Sequence, residues 1–265
     1  MEDKFRFKKK YGQNFLKNKA LINRIANVID ITKADLVVEV GPGFGILTVK
    51  LAERAKNVLT YEIDEEVLET LKNNLASYDN VQIIVGDFLK QKIENDISSY
   101  HFSHLYFVGN IPYYITTPIL FKLASSAIPF DEIVVMVQKE VGDRICAKPQ
   151  NKIYGSLSVL LQYQFDVKKE FIVSKKEFHP EPKVDSIIIS LKKKKIKESI
   201  INEQYFYKLV QDSFQYKRKT IRNNLRGYDL SIIEKILKEH GYDLTVRAEA
   251  LSYQIFIDIA NALCS

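Results

Sequence analysis

Leu36-Val37-Val38-Glu39-Val40-Gly41-Pro42-Gly43-Phe44-Gly45-Ile46-Leu47-Thr48 decides how the rest of the chain is read. Its first half is a short apolar run rich in β-branched residues, the pattern of a strand buried on both faces of a parallel sheet. Glycines at 41, 43 and 45 then turn the backbone tightly, and helical spacing restarts at Ile46. A turn with so little side-chain bulk lets a ligand approach the main chain. The helix behind it offers its N-terminal N–H groups. Glu62 closes a second predicted strand, 57–63, and stands 21 residues after Gly41. An acid at that distance is placed to take ribose hydroxyls. The combination describes a nucleotide-type cofactor site of the Rossmann kind, whereas the glycines alone would equally suit an ordinary α/β turn.

Outward from this stretch, strand and helix patterns alternate. An amphipathic helix carrying Leu21, Ile22, Ile25, Val28 and Ile29 on one face precedes it, and a helix over 46–55 follows. Strands are predicted over 58–63, 81–85, 105–108 and 132–137, with helices over 65–77 and 117–125. Such alternation argues for a parallel sheet with helices on both faces. Right-handed crossovers would bring the strand ends Gly41, Glu62, Asp87 and Asn110 to one edge, where α/β sheets bind ligands. Later the period changes. Two extended segments, 162–173 and 184–191, flank the proline-stiffened loop Glu177-Phe178-His179-Pro180-Glu181-Pro182 and fit a strand pair closing the sheet. The charge run 192–195 reads as a linker. Helical patterns then cover 202–216, 217–225, 231–240 and 252–263, a small bundle with Gly227 and Gly241 as stops.

The chain has 265 residues, 46% hydrophobic and 27% charged, ordinary values for a soluble protein of one large and one small domain. The N-terminus carries Lys4, Arg6, Lys8, Lys9 and Lys10 with no apolar signal segment behind it. No apolar run approaches the ~20 residues of a membrane span. Cys146 and Cys264 are too few for a disulfide scaffold or metal cluster. A cytoplasmic protein without a membrane partner is expected. His101 and His104 have a metal-like spacing but no acid or cysteine beside them, so no metal is expected. From Leu191 onward there are 14 Lys and Arg against 9 Asp and Glu, leaving 25 against 24 in the first 190 residues. A basic appendage on a near-neutral domain points to a polyanionic partner. Residues 4–16 also interleave cations with aromatics, a mixture suited to phosphate contact and base stacking.

Asn110-Ile111-Pro112-Tyr113 sits just past the fourth strand. An exocyclic amine on a nucleobase is a poor nucleophile because its lone pair is delocalised into the ring. The Asn110 carboxamide oxygen and a backbone carbonyl of the Ile111-Pro112 link can accept both amine hydrogens, and proline adds no competing N–H. Tyr113 offers a face on which a flipped base stacks. Held in this way, the nitrogen lone pair can point in line at an electrophilic methyl group, with positioning carrying most of the work.

This tetrapeptide and the 39–45 loop resemble the S-adenosylmethionine-dependent adenine-N6 methyltransferases, and more specifically the small-subunit rRNA adenine dimethyltransferases of the KsgA type. The resemblance runs along the whole chain, through Gly12-Gln13-Asn14-Phe15-Leu16, Tyr61-Glu62-Ile63-Asp64 and Gly86-Asp87. It continues through Phe178-His179-Pro180-Glu181-Pro182-Lys183-Val184-Asp185-Ser186, Lys217 to Leu225 and Arg247 to Ser252. It implies an α/β fold: a Rossmann-like, seven-stranded class I methyltransferase sheet with a small C-terminal all-helical domain. Residues 1–194 would form the catalytic, cofactor-binding domain and 195–265 a helical rRNA-recognition domain. Asn14, Leu16 and Gly41 would hold the methionine end of S-adenosylmethionine, Glu62 its ribose and Asp87 its adenine amine, with Gly43 and Asn110 also at the cofactor. Asn110, Ile111 and Pro112 would position the target amine at the cofactor edge, and Tyr113 and Phe178 would sandwich the target adenine. Lys8, Lys9, Lys10, Lys217, Arg218, Lys219 and Arg222 would contact RNA. The implied substrate is a pair of adjacent adenosines in a hairpin loop near the 3′ end of 16S rRNA in the assembling small subunit. A monomer with a role in ribosome biogenesis is implied.

Three rivals stand beside this reading. A large-subunit (23S) rRNA dimethyltransferase of the macrolide-resistance type shares the tetrapeptide and cofactor residues but not the 217–225 segment or the 178–186 motif. A non-catalytic assembly factor would leave the intact loop and tetrapeptide without a purpose. An NAD-dependent dehydrogenase suits the glycines but leaves Asn110–Tyr113 unexplained.

Overall fold

The computed structural model describes residues 14–126, 128–195 and 198–265. The chain divides into two compact units. One takes the described residues up to Gly142 together with Lys168–Lys192, and the other takes Asp143–Val167 together with the described residues of Lys193–Ser265. The junction at 192/193 lies close to the boundary expected at 194, whereas the stretch 143–167 groups with the C-terminal helices.

In chain order the elements begin with β1 (Phe15–Leu16), α1 (Lys19–Ala26), β2 (Leu36–Val40), α2 (Ile46–Ala52), β3 (Asn57–Glu62) and α3 (Leu68–Leu75). They continue with β4 (Val81–Val85), α4 (Ile93–Ile97), β5 (Leu105–Asn110), α5 (Thr116–Ser125) and β6 (Glu132–Gln138). Then follow α6 (Lys139–Ile145), α7 (Ser156–Gln164), β7 (Phe165–Val173), β8 (Phe178–His179) and β9 (Ser186–Lys193). The helical C-terminus comprises α8 (Glu203–Ser213), α9 (Ile221–Asn224), α10 (Leu230–Glu239) and α11 (Tyr253–Cys264).

Seven strands form one sheet in the order β4-β3-β2-β5-β6-β9-β7. The strands β2 to β6 run parallel to their neighbours, and β9 enters antiparallel to β6. The sheet is the Rossmann-like α/β fold expected. The chain winds outward from β2 through β3 to β4, returns to β5 on the other side of β2, and continues to β6. The strand order therefore switches between β2 and β5, whose ends meet in the pair Val40↔Gly109. In open α/β sheets the crevice at such a switch point is the ligand site. All five residues of β2 are buried, as the apolar run demands. Asn18 caps α1 by accepting from the N–H groups of Ala20 and Leu21, which satisfies two of the orphan donors at that end.

Three expectations need correction. The segment over 162–173 is not extended throughout: 162–164 end α7, and only Phe165–Val173 is strand. Helix α7 buries Leu157, Val159, Leu160, Leu161 and Tyr163 on all sides, so it lacks the one-faced stripe that marks a surface helix. The helix expected over 217–225 is reduced to α9, and residues 217–220 form a turn. Asn224 builds that turn: its Nδ2 donates to Ser213 O at 2.7 Å and its Oδ1 accepts from Tyr216 N at 3.2 Å. The strand 186–193 runs into the charge run expected as linker, with Lys192 paired to Glu132 and Lys192 and Lys193 both exposed. In the helical unit Tyr163, Phe206, Phe214 and Phe256 contribute ring contacts to the core.

Candidate active site

At the carboxyl edge of β2, β3, β4 and β5 lies a cleft open to solvent. Its wall includes Asn14, Leu16, Gly41, Gly43, Glu62, Asp87, Asn110, Ile111, Pro112 and Tyr113. Four strand ends far apart in sequence are therefore brought to one cavity, as the crossover argument requires. Phe178 is the exception. It is 2% exposed, pairs with Leu16 in the two-stranded β1–β8 ribbon and packs in the core with Ile22, Val108, Met136 and Ile188. In this conformation Phe178 presents no face to the cleft. Lys8, Lys9 and Lys10 lie outside the described residues. Lys217, Arg218 and Lys219 are exposed on the turn before α9, and Arg222 is exposed on α9 between the buried Ile221 and Leu225.

The glycine loop is shaped by backbone conformation. Gly41 and Gly43 have φ of +72° and +58°, a region that side chains other than glycine's enter at a strain. A Cβ on Gly43 would stand 2.6 Å from the Phe15 ring, and Phe15 itself stacks on Phe44 at 4.4 Å. A Cβ on Gly41 would meet Asn110 O at 3.5 Å, so the glycine loop and the tetrapeptide approach each other here.

Glu62 is fixed by three backbone donors. Its Oε2 accepts from Gly43 N at 3.1 Å, and its Oε1 accepts from Ile63 N and Asp64 N, each at 2.9 Å. A carboxylate offers about four lone-pair positions, so one on Oε2 remains for an incoming hydroxyl. Burial raises the Glu62 carboxyl above its ordinary range, opposed by those N–H groups and assisted by the charge of Asp64. Asp87 caps the single turn Phe88–Lys90, its Oδ1 accepting from Leu89 N at 3.0 Å. Asn110 donates Nδ2–H to Asn14 O at 3.1 Å, which leaves its Oδ1 as the acceptor. Tyr113 is tied to the buried Ser186 of β9 through a 2.7 Å hydroxyl contact, which fixes its ring. Burial raises the Tyr113 hydroxyl, chiefly, so it stays protonated.

One wall residue had no role assigned from sequence. Glu39 is 1% exposed, lies between Thr60 of β3 and Val108 of β5 and lines the cleft. Its Oε2 has no hydrogen-bond partner among the described residues. Burial raises the carboxyl to about 7, against the pull of the Thr48 and Thr60 hydroxyls, and the charge of Glu62 adds to the rise. The signal was present in sequence as a charge inside an apolar strand, a position where charged residues are rarely left without purpose. Among the described residues of the wall Glu39, Glu62 and Asp87 are acidic and none is Lys, Arg or His.

His104 pairs with the buried Asp35 at 3.0 Å. Among the described residues no helix is long and apolar enough to cross a membrane.

Residues 4–264 match the family described as ribosomal RNA adenine dimethylase. The chain is 44% identical over 269 residues to the ribosomal RNA small subunit methyltransferase A of Bacillus cytotoxicus, covering 98% of this chain and 92% of that protein. Among solved structures it resembles a dimethyladenosine transferase from Plasmodium falciparum, with a TM-score of 0.75 and 28% identity over 92% of this chain and 95% of that one. It also resembles the 23S rRNA methyltransferase ErmE, with a TM-score of 0.71 and 26% identity over 95% of this chain and 100% of that one.

Proposed function

The chain belongs to the ribosomal RNA adenine dimethylase family, and on that premise we propose that it transfers methyl groups from S-adenosylmethionine to adenine N6 amines of small-subunit rRNA. The observation that carries the cofactor reading is the charge of the cleft, whose wall among the described residues holds three acids and no cation. A dinucleotide pyrophosphate or other phosphate would meet repulsion there, whereas a sulfonium-bearing nucleoside meets attraction. This also disfavours the dehydrogenase alternative. The buried Glu39 carboxyl on the wall and the positive-φ glycines 41 and 43 fit the same ligand.

S-adenosylmethionine, when bound, supplies a methyl group made electrophilic by the adjoining positive sulfur. The chain's own residues do the rest. Glu62 takes a ribose hydroxyl on its remaining Oε2 position, and Asp87 accepts from the adenine amine with Oδ2. Asn14, Leu16, Gly41 and Gly43 bound the methionine end. Asn110, held by Asn14, turns Oδ1 toward the target amine, and the Ile111 carbonyl takes its second hydrogen. Tyr113 supplies a stacking face whose position Ser186 sets. Two hydrogen bonds to the amine would hold its lone pair toward the methyl group. The C–N bond would form as the C–S bond breaks, leaving S-adenosylhomocysteine. The acidic methylated cation would lose its extra proton to solvent, so no strongly basic group is required. Stacking by Phe178 on the second face requires that residue to leave its core position.

The small subunit is favoured over the large by the relative at 44% identity, which is named for the small subunit, against 26% for ErmE. In this reading Lys217, Arg218, Lys219 and Arg222 contact rRNA phosphates, and the two modified adenosines are neighbours in a hairpin near the 3′ end. The test is methyl transfer from labelled S-adenosylmethionine to unmodified small subunits and, in parallel, to large-subunit rRNA. Dimethyladenosine in the small-subunit rRNA is expected. Label confined to large-subunit rRNA would contradict the substrate, and label in neither would contradict the reaction.

A further inference from the structure

The turn that carries Asp87 is held from within by only two backbone bonds, Lys90 N to Asp87 O at 2.9 Å and Gln91 N to Phe88 O at 3.2 Å. Phe88–Lys90 is one turn of 3-10 helix, and a turn of that length gives the carbonyls of Leu89 and Gln91 no partner inside it. Its N-terminal end is closed by Asp87 through Leu89 N. Its other end is closed from α5, where the Lys122 ammonium donates to Phe88 O at 3.2 Å, Leu89 O at 2.9 Å and Gln91 O at 2.7 Å. An ammonium has three N–H donors, and all three are committed to this one turn. The same group lies 5.5 Å from the centre of the Phe88 ring, and Phe88 lines the cleft and packs on Tyr61 and Phe107. Helix α5 itself begins directly after the Tyr113–Ile115 turn of the tetrapeptide.

We propose that Lys122 is a positioning residue for the adenine end of the cofactor, fixing the Asp87–Phe88 turn and tying it to the helix that follows the reacting tetrapeptide. Lys122 is not on the wall of the cleft, so it acts through Asp87 and Phe88. Without the ammonium, three carbonyls lose a charged donor and the turn is free to drift, which moves the Asp87 acceptor away from the amine it reads. The adenine end and the reacting end of the cleft then lose their common anchor. The proposal rests on reading this cleft as the S-adenosylmethionine site.

Calorimetric affinities of wild type, Lys122→Met, Lys122→Arg and Asp87→Ala for S-adenosylhomocysteine and for S-inosylhomocysteine test it. The second ligand carries a carbonyl where the first carries the amine, so their ratio reports whether Asp87 is in place. Lys122→Met is expected to weaken S-adenosylhomocysteine about tenfold, the size of a charge-assisted hydrogen bond, and to shrink the preference for adenine over hypoxanthine. Lys122→Arg, which restores the charge and part of the donor set, is expected to recover most of both. Unchanged affinity and preference in Lys122→Met would overturn the proposal. So would an equal loss for both ligands accompanied only by a lower melting temperature, the mark of a merely structural lysine. Wild-type affinity in Asp87→Ala would overturn the cofactor reading beneath it, a result distinguishable from failure at Lys122 alone.

Discussion

At the carboxyl edge of the sheet Glu62 is buried with three backbone N–H groups on its carboxylate, and Asn110 commits its amide to Asn14. In the turn between α8 and α9, Lys217, Arg218 and Lys219 stand in solvent on a scaffold made by Asn224. The first region fixes a few polar atoms in a low-dielectric setting, where each interaction is strong and each loss is large. The second presents several charges in water, where each contributes little and salt screens all of them. Under the proposed function, chemistry falls to the first arrangement and non-specific grip on a polyanion to the second.

Asn110→Ala breaks the first region most severely. Single-turnover methyl transfer is expected to fall about a thousandfold, roughly 4 kcal/mol, as when one positioned hydrogen-bonding group is lost from a catalytic site. Cofactor affinity, measured separately, should change far less. Glu39→Gln sharpens the picture of buried charge. The folded carboxyl titrates at about 7 against an ordinary 4.5, so the native state binds the proton more tightly than the unfolded state. Its contribution favours the fold fully below the ordinary value and is lost as pH rises through about 7, a difference on the order of 3 kcal/mol. Thermal unfolding followed from pH ~5 to pH ~8 should show wild type losing stability relative to Glu39→Gln. A parallel pH dependence in both proteins would remove Glu39 as the cause.

Tyr113→Phe tests the anchor without removing the ring. Losing the contact to Ser186 should reduce transfer by about tenfold or less, near 1 kcal/mol, and Tyr113→Ala should do more. In the second region, Lys217→Ala and Arg222→Ala are each expected to weaken binding to small-subunit rRNA by about 1 kcal/mol or less and to lower the salt slope by roughly one unit. A loss as large as that of Asn110→Ala from either would erase the contrast between the two regions.

The same contrast explains what could be read from sequence. Glycine spacing, the acid at Glu62 and the ends of four apolar runs are local signals, and the parallel topology turns them into one cleft. The turn at 217–220 was misread because Ile221 and Leu225 carry helical spacing, while the hydrogen bonds of Asn224 that hold the turn are tertiary. Helix α7 carries no one-sided stripe, so nothing local separated its end from the following strand. Phe178 was placed by motif, yet its burial depends on the pairing of β1 with β8, two-residue strands that no periodicity can announce. Glu39 was visible as a letter but not as a problem until Thr60 and Val108 closed around it. Lys122 was one polar residue on an amphipathic helix until the carbonyls of Phe88, Leu89 and Gln91 gave it a task.

Under the proposed function the sheet edge performs the transfer while the basic turn only holds the RNA. Single-turnover methyl transfer at saturating enzyme on unmodified small subunits tests it most directly, comparing wild type, Asn110→Ala and the double variant Lys217→Ala, Arg222→Ala. A collapsed rate is expected for Asn110→Ala, and a rate close to wild type for the double variant once its weaker binding is saturated. A collapsed saturated rate in the double variant, or a retained one in Asn110→Ala, would contradict it.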